Sequence, residues 1–481
     1  MPSISSLTAR SLSTWQVAGL LFIGFLGCAA IVFLLIRGEG RAVIAATALS
    51  TFVMMAMLDV RLAIPAVFVY LIALGDLRRL ILPYYDWSGA DPMLLVGGVF
   101  ALLVFASALV QKDIKFDTPL AKWVLALMGI MALQILNPKQ GGLMVGMAGA
   151  LFIVVPIFWF WVGRTYATPD LLRTILFKIV LPLAVIAAAY GTYQVFYGYL
   201  PHQRLWYDVA GYAGLGSPDN PSPISLFASN TEYVSFLGVA TVVAWAAVLK
   251  GHRPALLLVF GFLFALLITG IRGGIFFPLI MMAGLWAVLS RSKAAWIVRG
   301  AFALVLAGAG LVWVLTQATQ AGLDETVPGI DRQAQEFVDA RTGKEEHSSI
   351  VVHTRMMLDG YTFALREPLG IGLGATTKAA GRFGGRSHST ETPFGNSFVS
   401  LGLPGGIIYH IVVFLVIITA FRLWLRTRSL LALCLLGILG VSMVNLMAGG
   451  MYAVGPLIAF SAGALDRLAQ DANVYETRRA G

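Results

Sequence analysis

The sequence has few charged residues, because Asp, Glu, Lys and Arg make up only 12% of its 481 positions. A water-soluble protein of this length carries roughly twice that density of charge. Hydrophobic residues account for 58% of the chain, and its mean hydropathy is +0.81. This composition excludes a disordered chain, a fibre, a secreted disulfide scaffold and a cytosolic enzyme. It indicates a polytopic membrane protein.

Cysteine is almost absent, since Cys28 and Cys434 are the only two and both lie in apolar runs. A disulfide and a thiolate metal site are therefore not expected. The chain has no HExxH motif, no closely spaced histidine pair with a carboxylate and no Asp-x-Asp pair, so no metal is expected. The glycine-rich segment 370–385 lacks the Gly-Lys-Ser/Thr of a phosphate-binding loop. We predict that the protein needs no cofactor.

Long apolar runs predict transmembrane helices, each of which needs about 20 residues. Some runs are short, so the sequence predicts about 12–14 spans. The spans must be helices, because hydrocarbon offers no hydrogen-bond partners to the backbone. The predicted fold is all-α, a single transmembrane helical domain over 1–481 with long loops at 197–230 and 317–396. The runs lie near 15–36, 42–57, 61–75, 92–110, 119–136, 142–162, 173–196, 231–249, 254–270, 273–289, 297–316, 397–420, 429–447 and 449–465.

The basic residues, which give a net charge of +10, are concentrated in every second connection between the apolar runs. Under the positive-inside rule these connections are cytoplasmic, and the two long loops lie on the opposite face. Arg37 and Arg41 do not fit this alternation. No basic run is interleaved with aromatic residues, so nucleic acid is not an expected partner. The basic connections carry Lys112/Lys115, Arg164/Arg173, Lys250/Arg253, Arg291/Lys293/Arg299 and Arg422/Arg426/Arg428.

Arg272 stands in the tight turn TGIRGG (269–274) between two apolar runs, on the same predicted face as the long loops. A charge at this depth is costly unless it finds a partner. The glycines around it let a ligand approach the backbone, and a guanidinium offers two parallel hydrogen bonds to phosphate oxygens. The alternative is an interfacial arginine that reaches lipid headgroups. The spacing favours the phosphate-binding interpretation.

The segment VVHTRMMLDGYTFALREPLG (351–370) has the periodicity of an amphipathic helix, which Pro368 ends. Arg355 and Arg366 could bind a pyrophosphate from one face of this helix. The alternative is a solvated face with an ion pair between Arg355 and Asp359. The predicted polar stripe is Arg355, Asp359, Thr362 and Arg366, opposite Met357, Tyr361 and Leu365.

Two polar segments border predicted spans. In GGRSHSTETPFGNSF (384–398), which holds Arg386, His388, Glu391 and Asn396, a carboxylate or an imidazole could act as general base on a sugar hydroxyl. The favoured alternative is an ordinary polar loop with Asn396 or Ser397 as the helix N-cap. In the first long loop, Arg204, Trp206 and Tyr207 could contact sugars, although an interfacial aromatic belt is the favoured interpretation.

Four segments in this order resemble the O-antigen ligase and O-antigen/exopolysaccharide polymerase superfamily of bacterial inner-membrane glycosyltransferases. The resemblance covers roughly 215–420. Ile271 stands where serine is usual in the family's Thr-x-Ser-Arg-Gly-Gly turn. The four segments are ISLFASNTEYVSFLG, LLITGIRGGIFFPLIMMAGLW, TRMMLDGYTFALREPLGIGLG and GNSFVSLGLPGGIIYHIVVFLV.

The resemblance implies metal-independent, inverting transfer of a glycan from undecaprenyl pyrophosphate, with the active site and the partly helical 317–396 loop on the periplasmic side of the inner membrane. Under the resemblance, Arg272 and Arg355 would hold the pyrophosphate. From the residues themselves, Arg366 is a further candidate for the pyrophosphate, and Arg204, Arg386 and Asn396 are candidates for contacts with the glycan. Gly395 occupies the position where the ligases have their proposed catalytic histidine. The base would then be Glu391, or His388 as second choice.

The expected function is therefore polymerisation of polyprenyl-pyrophosphate-linked repeat units. The expected partners are that lipid-linked glycan and membrane lipid, and other proteins of polysaccharide assembly are further candidates. One alternative within the same class is a ligase that transfers the glycan to lipid A core. An alternative from another class is a transporter or flippase of lipid-linked sugars, which would show interrupted helices, inverted repeats and charges at the midplane.

Overall fold

The computed structural model describes residues 27–29, 31–89, 91–210, 216–217, 220–290, 292–320, 330, 349–390, 392–446 and 451–480. Within them the chain is helical, apart from a two-residue strand pair, β1 (Gly216–Ser217) antiparallel to β2 (Asn220–Pro221). The helices that lie wholly within these ranges, leaving aside short 3₁₀ turns, are α1 Gly40–Leu80, α2 Val96–Val110, α3 Pro119–Ile135, α4 Leu143–Tyr166, α5 Pro169–Tyr197, α6 Pro201–Ala210, α7 Asn230–Leu249, α8 Ala255–Leu267, α9 Arg272–Ala287, α10 Lys293–Gln320, α11 Ser349–Arg366, α12 Lys378–Arg382, α13 Pro393–Thr427, α14 Leu430–Val441 and α15 Val454–Ala480.

Seven helical segments are long and apolar enough to cross a membrane, one of them being α2 together with the 3₁₀ turn Pro92–Leu95 before it. Shorter apolar helices of 12 to 17 residues, α3, α8, α9 and α14, fill the bundle between them. The prediction of an all-α polytopic membrane protein is therefore confirmed. The number of spans stays a prediction, because it depends on whether the shorter helices also cross.

Helix α1 is a hairpin of two helical arms. Asp59 has a non-helical backbone (φ −159°, ψ 116°), and its side chain accepts a hydrogen bond from the Arg61 amide at 2.8 Å. Arg41, at the start of the first arm, donates to the carbonyl of Arg78 near the end of the second arm. The two arms therefore run antiparallel, as the separate predicted runs 42–57 and 61–75 require.

Helix α13 is also folded in two, at Gly402, where φ is +69°. The Phe394 ring lies 5.2 Å from the His410 ring, and a Cβ on Gly406 would come within 2.4 Å of the Phe398 ring. Contacts between 394 and 410 and between 398 and 406 make residues 393–401 and 403–427 antiparallel arms. The prediction of one continuous span over 397–420 is therefore wrong at its beginning.

The bundle has two chemically different ends. The C-terminal Arg164 of α4 bonds to Asp117 and Asp466, and Lys250 after α7 donates to the Arg428 carbonyl. We call this the basic end, because it carries the predicted basic connections around Lys112 and Lys115. The two long loops meet the N-terminal ends of α4 and α7, and we call that side the loop end. The predicted alternation of basic and loop connections thus separates the two ends of the molecule.

Arg41, which fits the alternation poorly, lies at the loop end in a buried ion cluster. Its Nη1 donates to Asp91 at 2.6 Å, and Arg78 Nε donates to the same carboxylate oxygen at 2.8 Å. Both guanidinium groups also lie over the Trp87 ring. A charge neutralised inside the protein is not an exposed loop charge, so it says little about orientation.

Candidate functional site

Residues 349–402 form a layer at the loop end, which we call the cap. It contains α11, α12 and the first arm of α13. The cap rests on the turn between α3 and α4, where the buried Gln140 accepts a hydrogen bond from the Gly374 amide at 3.0 Å and donates to the Ile135 carbonyl at 2.7 Å. Because α13 turns at Gly402, the carbonyls of Val399 and Ser400 at the end of its first arm can accept hydrogen bonds from outside the helix. The amides of Ile371 and Gly372 donate hydrogen bonds to them, which joins the layers of the cap.

Helix α11 packs against α13 through a close contact of two glycines. A Cβ on Gly360 would lie 2.6 Å from the Cα of Gly395, and a Cβ on Gly395 would lie 2.4 Å from Thr390 Oγ1. The space that a larger side chain would need at position 395 is therefore already filled. The same close approach explains why a glycine, Gly360, stands inside an otherwise good helix pattern.

The exposed face of α11 agrees with the predicted polar stripe. Arg355, Asp359, Thr362 and Arg366 are all exposed, whereas Met357 and Tyr361 are half-buried. Leu365 departs from the prediction, because 73% of its surface is exposed. The helix ends at Arg366, just before Pro368, as predicted.

A groove of about 290 Å³ runs between α11 and the segment that precedes α13. We call it the α11 groove. It brings together two residues that the sequence singled out, Arg366 and His388, while Arg272 and Arg355 are not among its lining residues. The groove is lined by Met356, Asp359, Thr362, Phe363, Arg366, His388, Ser389 and Thr390.

His388 is held in the groove by an aromatic contact and by its backbone. Its ring stacks on Phe363 with a centroid distance of 4.6 Å and an interplanar angle of 24°. Its amide donates to the Ala375 carbonyl at 3.0 Å. The stack covers a face of the imidazole rather than its nitrogens, so the geometry is compatible with its predicted second-choice role as a base.

Asn396 organises the turn that leads into α13. Its Oδ1 accepts hydrogen bonds from the amide and the hydroxyl of Thr390, at 2.8 and 3.1 Å. Thr392 is the N-cap, because its hydroxyl accepts a hydrogen bond from the Gly395 amide at 3.3 Å. The alternative prediction of Asn396 or Ser397 as the cap is therefore wrong. Glu391, the first-choice base, lies outside the described residues.

Arg386 belongs to an ion cluster beside the α11 groove. Lys139 Nζ lies 2.5 Å from Glu367 Oε2, and Arg386 Nη1 lies 3.7 Å from Glu367 Oε1. The hydrogen bond from Lys139, and secondarily the charge of Arg386, hold the pKa of Glu367 below its ordinary value. The cluster ties the α3–α4 turn to the cap.

Arg272 is the first residue of α9, directly after the predicted tight turn. Gly270 has a φ of +72°, which favours glycine. A Cβ on Gly274 would come within 2.2 Å of Val234 Cγ1, so the starts of α9 and α7 touch at the loop end. Arg272 is half-buried there. It therefore shares the loop end with the cap, on a different part of the bundle from the α11 groove.

The first long loop places Arg204 and Trp206 differently from each other. Arg204 is exposed, and its Nε donates to the Tyr199 carbonyl at 2.9 Å. Trp206 is buried beside Trp87 and under the Arg79 guanidinium. The interpretation of Trp206 as an interfacial belt residue is wrong, because the residue fixes α6 to the end of α1.

Sequence reasoning missed Phe363, Glu367 and Gln140, which position the predicted residues. Two signals were available in the sequence: Glu367 directly follows the predicted stripe, and Gln140 lies in the polar turn NPKQGG (137–142).

Among the described residues, no group of three His, Cys, Asp or Glu side chains could hold a metal ion. No protein-family model matches the chain, and no curated protein matches it.

Proposed function

We propose that this multi-pass membrane protein is a glycosyltransferase that polymerises polyprenyl-pyrophosphate-linked oligosaccharide units on the periplasmic side of the bacterial inner membrane. The observation that carries the proposal is the position of Arg272, Arg355, Arg366 and Arg386 at the loop end, where Arg366 lines a polar groove. Guanidinium groups at the rim of an apolar bundle suit a ligand with a lipid tail and a diphosphate head.

The proposed reaction needs charge stabilisation and one proton acceptor. The acceptor hydroxyl oxygen attacks the anomeric carbon, the bond from that carbon to the diphosphate oxygen breaks, and the configuration inverts. Arg272 and Arg355 offset the negative charge that grows on the leaving diphosphate, with Arg366 as a further cation. The hydroxyl proton passes to Glu391 or to His388. His388 has the support of its place in the α11 groove beside Arg366.

The experiment is an in vitro polymerisation by the purified protein in nanodiscs, with product length read from a gel. We expect Arg272→Ala and Arg355→Ala each to lower the rate by about 100-fold, as the loss of one stabilising donor does. Glu391→Gln should abolish polymer if Glu391 is the base, and His388→Gln should do so if His388 is. Polymer of normal length from Arg272→Ala and both base variants would refute the proposal.

The matched control is Arg173→Ala, because Arg173 is an exposed arginine near the start of α5, at the basic end. The polymerisation rate of this variant should stay unchanged.

The molecule to which the product is attached distinguishes the related activities. Polymer that accumulates on the polyprenyl carrier after gene deletion indicates a ligase, whereas single repeat units indicate a polymerase. Transport of a lipid-linked sugar without bond formation would indicate the flippase alternative.

A further inference from the structure

The segment 385–390 forms a fixed wall in the middle of the cap. The amides of Gly385, Arg386 and His388 donate to the carbonyls of Ala380, Gln140 and Ala375 at 2.7, 3.2 and 3.0 Å. The Thr390 amide is held by Asn396, as described above. A segment with so many anchored amides keeps its side chains in place, so it offers a pre-organised surface.

This wall separates the α11 groove from a second one of about 390 Å³, which we call the α12 groove. The side chains alternate as in a strand, because His388 and Thr390 line the first groove and Ser387 lines the second. Ser389 borders both grooves. The two grooves therefore adjoin, and an extended ligand could occupy both.

The α12 groove is lined by hydroxyl groups and one ammonium. Lys378 is exposed, and within the described part of the chain no carboxylate forms an ion pair with it. Among the described residues, no acidic side chain lines this groove. Its hydroxyl-bearing residues are Thr376, Thr377, Ser387 and Ser389.

The charges in the two grooves differ. In the α11 groove Asp359 accompanies Arg366. Beside that groove, Arg386 forms an ion pair with Glu367. In the α12 groove none of the described lining residues offers such a counter-charge to the ammonium of Lys378. An anionic group on a hydroxyl-rich ligand would meet an ammonium there, and neighbouring Ser and Thr hydroxyls could donate to it.

We infer that the α12 groove binds an acidic sugar residue, one that carries a carboxylate, of the glycan chain that passes over the cap. Lys378 receives the carboxylate, and the hydroxyls of Thr376 and Ser387 bond to the ring oxygens and hydroxyls. This inference rests on the proposed function in taking the ligand to be a glycan. It adds that the preferred glycan is acidic.

The test is a binding measurement on the full-length protein in phosphatidylcholine nanodiscs, with trigalacturonate and the neutral maltotriose as probes. We expect trigalacturonate to bind about tenfold more tightly at low salt, with the difference shrinking as salt screens the charges. Lys378→Met should weaken trigalacturonate binding about fivefold, the upper range for one exposed ion pair, and leave maltotriose unchanged. Equal binding of the two probes, or no effect of Lys378→Met, would overturn the inference.

Lys122→Met is the matched control, because Lys122 is an exposed lysine in the first turn of α3 at the basic end. It should leave both affinities unchanged. Inorganic phosphate that displaces trigalacturonate at equal concentration would show a general anion site and would also overturn the inference. Polymerisation without selective trigalacturonate binding refutes this inference alone. Selective binding without polymerisation refutes the proposed function alone.

Discussion

Asp91 accepts hydrogen bonds from two buried guanidinium groups, those of Arg41 and Arg78. The carboxylate is 50 residues away from Arg41 in sequence, so no local pattern could reveal the pair. The two arginines surround Trp87 as well, and together they join the turn after α1 to both arms of the hairpin. The cluster is therefore a structural centre of the loop end.

We expect Asp91→Asn to destabilise the protein by roughly 3 to 5 kcal/mol, because it leaves two buried guanidinium groups without a counter-charge. Denaturant unfolding in detergent measures the change. Asp170→Asn is the control, since the Asp170 side chain is 92% exposed and pairs with an exposed arginine, Arg173. A loss for Asp91→Asn no larger than that of the control would contradict the structural role.

The ion pairs of Glu367 lead us to expect that the stability of the protein depends on pH. The pKa of Glu367 is held low by Lys139 and then by Arg386, so its contribution to stability is complete above the pKa of an unfolded-state glutamate. The contribution is lost as pH falls through the lowered pKa. We expect the melting temperature of the wild type to exceed that of Glu367→Gln by a constant amount from neutral pH to about pH 5. The difference should then shrink towards zero, and a difference independent of pH would contradict the pairing.

The candidate site was only partly predictable from single residues. Arg366 and His388 were recognisable because charged and titratable groups bordered predicted spans, and the structure puts both in one groove. Phe363 looked like one more apolar residue of a helix, and its stacking on His388 depends on a contact between distant segments. Whether Arg272 and Glu391 act together with that groove stays a prediction.

The helices themselves follow from the apolar periodicity, and most predicted runs match an observed helix within a few residues. The predicted run 119–136 corresponds to Pro119–Ile135, and 231–249 to Asn230–Leu249. The hairpin in α13 was missed because residues on both sides of Gly402 are apolar, so the run reads as continuous. The sequence LGLPGG (401–406) was the available signal, since Gly402 and Pro404 both disfavour a helix interior.

We expect Gly402→Ala to destabilise the cap by roughly 1 to 3 kcal/mol, because a side chain there faces a positive φ and would meet the Pro368 carbonyl. The Cβ would lie 2.3 Å from that oxygen. Hydrogen exchange of residues 349–402 measures the loss. In Gly381→Ala, where nothing lies within 4 Å of the new Cβ, exchange should not increase. Equal behaviour of the two variants would contradict the hairpin.

In the molecule as a whole, the basic connections lie at one end of the helical bundle and the polar cap lies at the other end. The positive-inside pattern predicted this separation because it averages over many exposed connections. Of the two arginines that do not fit the pattern, Arg37 and Arg41, the second has its charge buried against Asp91. The separation also leaves the buried charges of α1 at the loop end. A transporter of the kind considered above would hold such charges near the midplane.

Photo-crosslinking with a polyprenyl diphosphate that carries a diazirine beside the phosphates would locate the lipid head directly. Peptides joined to the probe, identified by mass spectrometry, should contain Arg272, Arg355 or residues 384–398. An excess of unlabelled polyprenyl diphosphate should suppress them. Adducts confined to the basic end, around Lys112, Arg164 or Arg428, would contradict the assignment of diphosphate binding to the loop end.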